Sequence, residues 1–260
     1  MAGPDEPLRT DRRAGDVALS PQKPPSEWKR VLLKVSGEAL MGDGAHGISQ
    51  PTLQRICAEI VEVVNQGREV GLVIGGGNFL RGANLALTAV DRVAGDQMGM
   101  LATVMNAVAV AAQLRALGTE AVVLSAIDVP VICDRFTHRG AIQHMAEGRV
   151  VLFAAGTGHP FFTTDTAAVL RAVEMGCDVL LKGTQVDGVY TADPNRDPSA
   201  TRYERVGHQE ALAKNLGVMD AAAIALARDN GLPIVVFSIQ DHGALPKVVR
   251  GEGTSTIVAD

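Results

Sequence analysis

The feature that most constrains the fold is a regular alternation of short β-branched segments with longer segments of helical periodicity. Strand-like runs occur at residues 30–35, 70–74, 121–126, 149–154, 178–182, 233–238 and 254–258. Chains with this rhythm form parallel sheets with helices on both faces. The pattern therefore predicts an α/β fold, a three-layer αβα sandwich around a mainly parallel, twisted sheet.

Two helices are marked most clearly. Residues 51–66 have apolar side chains at helical spacing, with Pro51 in the first turn and Gly67 beyond the end. Residues 97–117 are apolar nearly all round, so this helix must be buried on more than one face, and we expect a second subunit to cover part of it. No segment has the length and purity expected of a membrane span, and the N-terminus lacks the apolar run of a signal peptide. We therefore expect a cytoplasmic protein.

The N-terminal residues 1–28 contain five prolines, many charges and no periodic apolar face. Such composition predicts a disordered tail. The remaining residues, 29–260, are few enough to share one hydrophobic core, so we expect a single domain.

Charge and cysteine content exclude several classes of protein. The net charge of −5 argues against a protein that neutralises nucleic-acid backbones. The three cysteines share no C-x-x-C spacing and no histidine cluster accompanies them, which indicates reduced thiols and no protein-bound metal.

Basic residues and glycines follow the first two strands. Lys34 lies near the end of the first strand with Ser36 and Gly37 behind it, and the second strand runs into the triple glycine 75–77 and then Arg81. Backbone N–H groups of such turns bind anions, and ligands of parallel sheets bind at the carboxyl ends of strands. A solvent-exposed edge lysine and an ordinary flexible turn would give the same residues, so phosphate binding is one of two interpretations.

Two later loops have the composition of a nucleotide site. Residues 156–165 combine glycines and threonines with Phe161 and Phe162, and the Thr-Thr-Asp run inside them is also a plain helix N-cap. Residues 186–195 follow a strand that Lys182 closes, and their Asp-Gly and Asp-Pro pairs form turns. Two lysines at strand ends without a metal cluster favour charge stabilisation of a transferring phosphoryl group. Asp96 heads the long helix, where the helix dipole alone would also favour a carboxylate.

Together these runs resemble the bacterial uridylate kinases, a branch of the amino acid kinase superfamily. The resemblance rests on residues 34–38, 75–82, 95–106, 157–165 and 187–194 and covers about residue 29 to residue 260. It implies the amino acid kinase fold, with an acceptor lobe at roughly 29–176 and an ATP lobe at roughly 177–260. It also implies that the γ-phosphoryl of ATP is transferred to UMP, with Mg²⁺, to give UDP and ADP.

The resemblance assigns roles to individual residues. The ATP site would comprise Lys34, Val35, Ser36, Gly37, Gly77, Arg81, Thr184, Tyr190 and Asp193. The UMP site would comprise Gly76, Asp96, Thr157, Gly158, His159, Pro160, Phe161, Phe162, Thr163 and Thr164. The catalytic group would be Lys34 and Lys182, oriented by Asp220 and Asp165.

The resemblance also implies a homohexamer, feedback inhibition by UTP and, in many members, activation by GTP. Here Ala111 and Val122 stand where some relatives have arginine in the GTP site, whereas Arg115 remains. Two other functions fit the same fold: a kinase that phosphorylates a carboxylate, and a non-catalytic protein that stores oxyanion clusters. The aromatic acceptor loop and Asp96 argue against the first, and the retained lysine, arginine and loop argue against the second.

Overall fold

The computed structural model describes residues 23–80, 90–194 and 196–260. Its strands are β1 (Arg30–Val35), β2 (Glu69–Ile74), β3 (Ala121–Ser125), β4 (Asp134–Arg135), β5 (Val150–Ala154), β6 (Val179–Thr184), β7 (Arg205–Val206), β8 (Ile234–Ser238) and β9 (Thr256–Val258). Its helices are α1 (Gln50–Asn65), α2 (Gly77–Leu80), α3 (Arg92–Ala116), α4 (His138–Ala146), α5 (Thr164–Glu174), α6 (His208–Ala213), α7 (Ala221–Asp229) and α8 (Ala244–Arg250).

The strands form one sheet in the order β4-β3-β5-β2-β1-β6-β8-β9-β7. Every neighbouring pair is parallel except β8 and β9, which run antiparallel. The predicted mainly parallel α/β sheet is confirmed. The β1–β2 and β1–β6 pairings place the first strand at the centre, so the segments that follow β1, β2 and β6 meet at one edge of the sheet.

Each face of the sheet has its own apolar layer. Val31, Leu33 and Val35 pack against α1, α3 and α8 on one face. Leu32 packs with α4, α5, α6 and α7 on the other face. Because side chains alternate along a strand, Lys34 shares the face of Leu32 and therefore points towards the α5 layer.

Two sequence-based boundaries are wrong. The long helix begins at Arg92 rather than residue 97, because the Asp91 carboxylate caps it by accepting the Ala94 N–H at 2.8 Å. Asp96 therefore lies in the second turn and does not head the helix. Lys182 does not close its strand, because β6 continues to Thr184, which pairs with Ser238 of β8.

Residues 23–28, which precede the predicted boundary at residue 29, also have defined contacts. Pro25–Glu27 form a 3-10 turn, and Trp28 is buried with its Nε1 donating to the Lys23 carbonyl at 3.1 Å. A large aromatic side chain contributes enough apolar burial to order the residues beside it. The predicted tail at residues 1–22 lies outside the described residues.

Helix α3 has the length and apolar composition of a membrane-crossing helix. This differs from the prediction that no segment would have them. Half of its most apolar 18-residue window is buried inside the fold. The buried side chains pack on β3 and β5, as in the core helix of an α/β protein.

Candidate active site

The centre of the site is a carboxylate held between two lysines. Lys34 of β1 and Lys182 of β6 are register partners, and Asp165 is the second residue of α5. Lys34 Nζ lies 2.6 Å from Asp165 Oδ1, and Lys182 Nζ lies 2.8 Å from Asp165 Oδ2. All three side chains are less than 20% exposed: Lys34 is 9% exposed, Lys182 13% and Asp165 16%. The structure therefore brings together three of the four predicted catalytic residues.

Burial and charge act against each other in this cluster. Burial alone would raise the pKa of Asp165, but the Lys34 and Lys182 ammonium groups outweigh it and hold that pKa below its ordinary value. Burial lowers the pKa of Lys182, and the Lys34 charge adds to this although Asp165 opposes it. The site thus concentrates positive charge where little water can screen it.

Asp220, the fourth predicted catalytic residue, has different partners. Its carboxylate caps α7 by accepting the Ala223 N–H at 2.9 Å. It also accepts the Thr166 hydroxyl at 3.0 Å and the Thr163 hydroxyl. Of the two carboxylates predicted to orient the lysines, Asp165 contacts both ammonium groups, whereas Asp220 acts on Lys182 through its charge and ties the start of α5 to the start of α7. Lys182 also donates to the carbonyl of Val218 in the segment before α7.

Glycines allow the turns after β1 and β2 to touch. The Gly75 N–H donates to the Val35 carbonyl at 2.9 Å. A Cβ at Gly37 would lie 2.5 Å from both the Gly75 carbonyl oxygen and Asn78 Oδ1, so a larger residue cannot occupy position 37 without moving the backbone. The Ser36 hydroxyl accepts the Ala39 N–H at 3.3 Å and so starts the 3-10 turn that carries Gly37.

A cavity of about 330 Å³ opens between the β2 turn, the start of α3 and the loop after β5. Its lining includes seven of the ten predicted UMP residues, namely Gly76, Asp96, Thr157, His159, Phe162, Thr163 and Thr164. Gly158, Pro160 and Phe161 belong to the same loop but do not line the cavity. Gly77, predicted for ATP, lines this cavity too.

The loop over this cavity is fastened to α3 at two points. Asp96 accepts the Phe161 N–H at 2.7 Å and pairs with Arg92 at 2.9 Å. The Thr103 hydroxyl accepts the Ala155 N–H at 2.8 Å. Ala155 and Phe161 both have positive φ, 62° and 71°, which is uncommon for residues with a side chain. The Phe161 N–H bond, aided by Arg92, holds the pKa of Asp96 below its ordinary value, so the carboxylate stays ionised.

A second cavity of about 450 Å³ lies beyond Lys182 on the β6–β8 side. Its lining contains the predicted Thr184, Tyr190 and Asp193 together with the segment 214–218. The Tyr190 hydroxyl donates to Asp187 at 2.7 Å, which raises the pKa of that phenol. Sequence reasoning missed residues 214–218, because no motif distinguishes them from an ordinary helix connection.

The lysine cluster lies where the two cavities meet. Thr163 and Thr164 line the first cavity and directly precede Asp165, whereas Lys182 lines the second. Two anionic ligands, one in each cavity, would thus point their charged ends at the same pair of ammonium groups. Arg81, which was predicted to join them, lies outside the described residues.

Comparisons with known proteins show the family to which this chain belongs. Residues 29–238 match the model of the amino acid kinase family. The uridylate kinases of Agrobacterium fabrum and Rhizobium meliloti are each 57% identical over 233 residues, which span 90% of this chain and 97% of each relative. The crystal structure of UMP kinase from Bacillus anthracis has a TM-score of 0.86 at 36% identity and covers 90% of this chain and 96% of its own. UMP kinase from Ureaplasma parvum has a TM-score of 0.85 at 34% identity, with coverage of 90% and 99%. The chain belongs to the amino acid kinase family and, within it, to the uridylate kinases.

Proposed function

We propose that this protein transfers the γ-phosphoryl group of ATP to UMP, giving UDP and ADP. The observation that carries the proposal is the Lys34–Asp165–Lys182 cluster between two nucleotide-sized cavities. UMP would occupy the 330 Å³ cavity beside Asp96, and ATP the 450 Å³ cavity beside Tyr190. Relatives at 57% identity are uridylate kinases, which supports a pyrimidine nucleotide as the acceptor.

The chemistry requires positioning and charge more than proton transfer. A phosphate oxygen of UMP is already ionised at neutral pH, so it needs no general base to attack the γ-phosphorus. As that bond forms, the bond from the γ-phosphorus to the β,γ-bridging oxygen breaks and ADP leaves with the electron pair. Because the two nucleotides repel each other, Lys34 and Lys182 would lower the barrier by neutralising the charge between them. Asp165 would hold both ammonium groups in place.

Mg²⁺ would accompany ATP and neutralise part of the phosphate charge. Among the described residues there is no group of three or more His, Cys, Asp or Glu side chains that could hold a metal ion. Mg²⁺ in kinases binds mainly to phosphate oxygens and water with one or two carboxylates. Both oxygens of Asp165 are held by Lys34 and Lys182, so the phosphates and water would supply most of the ligands.

The surface supports an assembly of several copies. Leu101 and Met105 on α3 are each 50% exposed, and the nearby Val131 and Ile132 are also exposed. Large exposed apolar side chains that form a patch are typical of subunit interfaces. The patch supports a homohexamer, and the proposal also includes a cytoplasmic location and a division into two lobes at residue 176.

Regulation by UTP and GTP would use two different cavities. UTP shares the base and ribose of UMP and would compete for the acceptor cavity. GTP would act at a separate cavity of about 300 Å³, whose lining includes Arg115, Val122 and the exposed Ile132. Ala111, where some relatives have arginine, does not line this cavity and is fully buried in the apolar core.

The test is a coupled assay of ADP and UDP formation with UMP, CMP, acetylglutamate and aspartate as parallel acceptors. We expect turnover with UMP to exceed that with either carboxylate by several orders of magnitude. Addition of UTP should inhibit, and GTP should be tested for activation in the same assay. Phosphorylation of a carboxylate without UDP formation would replace the proposal with a carboxylate kinase. Inactivity, with stoichiometric molybdenum or tungsten in the purified protein, would replace it with oxyanion storage.

A further inference from the structure

Two asparagines with no role in the mechanism above are completely buried beneath the glycine turns. Asn78 of α2 and Asn106 of α3 have no exposed surface. Their amides bond each other reciprocally: Asn78 Nδ2 donates to Asn106 Oδ1 at 2.9 Å, and Asn106 Nδ2 donates to Asn78 Oδ1 at 2.8 Å. Burying two amides in a core is costly unless every polar atom is bonded, so such a pair requires an explanation.

The second N–H of each amide holds a backbone carbonyl. Asn106 Nδ2 donates to the Gly75 carbonyl at 2.7 Å, and Asn78 Nδ2 donates to the Gly47 carbonyl at 2.9 Å. An asparagine amide has two N–H donors, so all four donors of the pair are used. In addition, the Gly47 backbone N–H donates to the backbone carbonyl of Asn78 at 2.9 Å.

The bond to Gly75 fixes the direction of the next amide. In a planar trans peptide the carbonyl and the N–H of the following residue point in opposite directions. With the Gly75 carbonyl drawn into the core by Asn106, the Gly76 N–H points away from it, and Gly76 lines the acceptor cavity. Among the described residues, no protein atom accepts a hydrogen bond from the Gly76 N–H.

The same pair also supports the turn after β1. Asn78 Oδ1 occupies the space that a Cβ of Gly37 would need, at 2.5 Å from that position. The two asparagines thus fix the Gly37 turn and the Gly75–Gly77 turn relative to each other. A fully bonded buried network of this kind is rigid, and rigidity is what preorganised anion binding requires.

We propose that Asn106, together with Asn78, is a positioning residue that aims the Gly76 amide at the phosphate of the acceptor nucleotide. The inference rests on the proposed function, because it needs a phosphorylated acceptor in the cavity beside Gly76. This positioning role differs from a general structural role in one respect: the asparagine pair should strengthen binding of the phosphate group and leave binding of the nucleoside unchanged.

The experiment compares binding of UMP and of uridine to wild type, Asn106→Ala and Val110→Ala by calorimetry, together with steady-state kinetics. Val110 is the matched control, since it is buried one turn further along the same helix and packs only in the apolar core. We expect Asn106→Ala to lower the ratio of UMP affinity to uridine affinity at least tenfold and kcat 10- to 100-fold. Val110→Ala should leave the ratio and kcat within about twofold of wild type.

Equal weakening of UMP and uridine, or an unchanged ratio in Asn106→Ala, would overturn the inference. If Asn106→Ala does not fold, Asn106→Ser keeps a shorter polar side chain at this position, and the same comparison of UMP with uridine is made on that variant. Failure of the proposed function would be visible separately, as a wild-type protein that forms no UDP from UMP.

Discussion

Lys34 and Lys182 face each other on adjacent parallel strands, and each holds a different oxygen of the same carboxylate, Asp165. Like charges on neighbouring strands repel, and here both are buried. The carboxylate offsets this repulsion in the absence of nucleotide. When nucleotide phosphates enter, they supply further negative charge to the same ammonium groups, so the site is prepared for anions without a change in its positive charge.

Replacing Lys34 by alanine should lower kcat by a factor on the order of 10² to 10⁴, the range expected for loss of a charged group at a phosphoryl-transfer centre. Folding should be little affected, because Asp165 keeps its bond to Lys182. Steady-state kinetics and a circular dichroism spectrum check both parts. Lys29→Ala, which removes an exposed lysine just before the same strand, is the control. A rate near that of wild type for Lys34→Ala would contradict its assignment.

Replacing Asp165 by asparagine should destabilise the protein by about 3 kcal/mol, because two buried ammonium groups then lose their counterion. Urea unfolding gives the free energy of unfolding of each variant. Asp128→Asn removes an exposed carboxylate paired with Arg135 and should change that free energy by less than about 1 kcal/mol. Equal effects of the two substitutions would contradict the importance of burial at Asp165.

The activity should fall at alkaline pH earlier than an ordinary lysine would allow. Burial lowers the pKa of Lys182 below 10.5, so the folded protein releases this proton at a lower pH than the unfolded chain does. Between the two pKa values the unfolded state binds more protons, so this group makes folding more favourable as pH rises while the active site loses a charge. The pH profile of kcat/KM, which reports on the free enzyme, should therefore decline below pH 10.5.

Lys182→Arg tests the origin of that decline. Arginine stays protonated throughout this range. The kcat/KM profile of the Lys182→Arg variant should therefore remain flat to higher pH, even if the maximal rate of this variant is lower. Identical alkaline limbs in wild type and Lys182→Arg would assign the decline to another group.

Replacing Asp96 by asparagine should raise the KM for UMP about tenfold, the expected loss for one charged hydrogen bond, and leave the KM for ATP unchanged. The acceptor loop should stay in place, since an asparagine oxygen can still accept the Phe161 N–H. Asp91→Asn is a matched control on the same helix, because asparagine caps a helix as well as aspartate does. An unchanged KM for UMP would remove Asp96 from the acceptor site.

Replacing Met105 by glutamate should break the assembly if the exposed face of α3 is a subunit interface. Met105 is half exposed and lies in the apolar patch with Leu101. A charge buried in an apolar interface is costly, so light scattering should report a smaller particle. Met105→Leu keeps the apolar surface and should keep the size of the wild-type assembly. Equal masses for both variants would place the interface elsewhere.

The sequence predicted the parts of the fold that depend on local periodicity. The sequence was sufficient to predict the alternation of strands and helices and the glycine turn at 75–77, because each follows from backbone geometry over a few residues. The boundaries at Asp96 and Lys182 could not be predicted, since the Asp91 cap and the extension of β6 depend on partners elsewhere in the chain.

The candidate site was predicted to a similar extent. Lys34, Lys182 and the acceptor loop carry recognisable residues at recognisable places. Both Asp165 and Asp220 were predicted near the lysines, but the direct contact of Asp165 with both ammonium groups depends on how α5 and α7 pack, which no local pattern encodes. In the sequence, nothing distinguishes Asn106 from the other polar residues of a mainly apolar helix. Its functional importance is indicated only by the hydrogen bond that it donates to the Gly75 carbonyl in the structure.

The contact between Gly37 and Asn78 also limits how this protein can change over generations. A side chain at position 37 would meet the Gly75 carbonyl as well as Asn78 Oδ1, so a smaller residue at position 78 would not make room for it and would leave Asn106 without its amide partner. Position 37 is therefore restricted to glycine in every lineage that keeps this backbone. Random mutagenesis libraries selected for activity should recover no substitution at position 37, whichever residue stands at position 78.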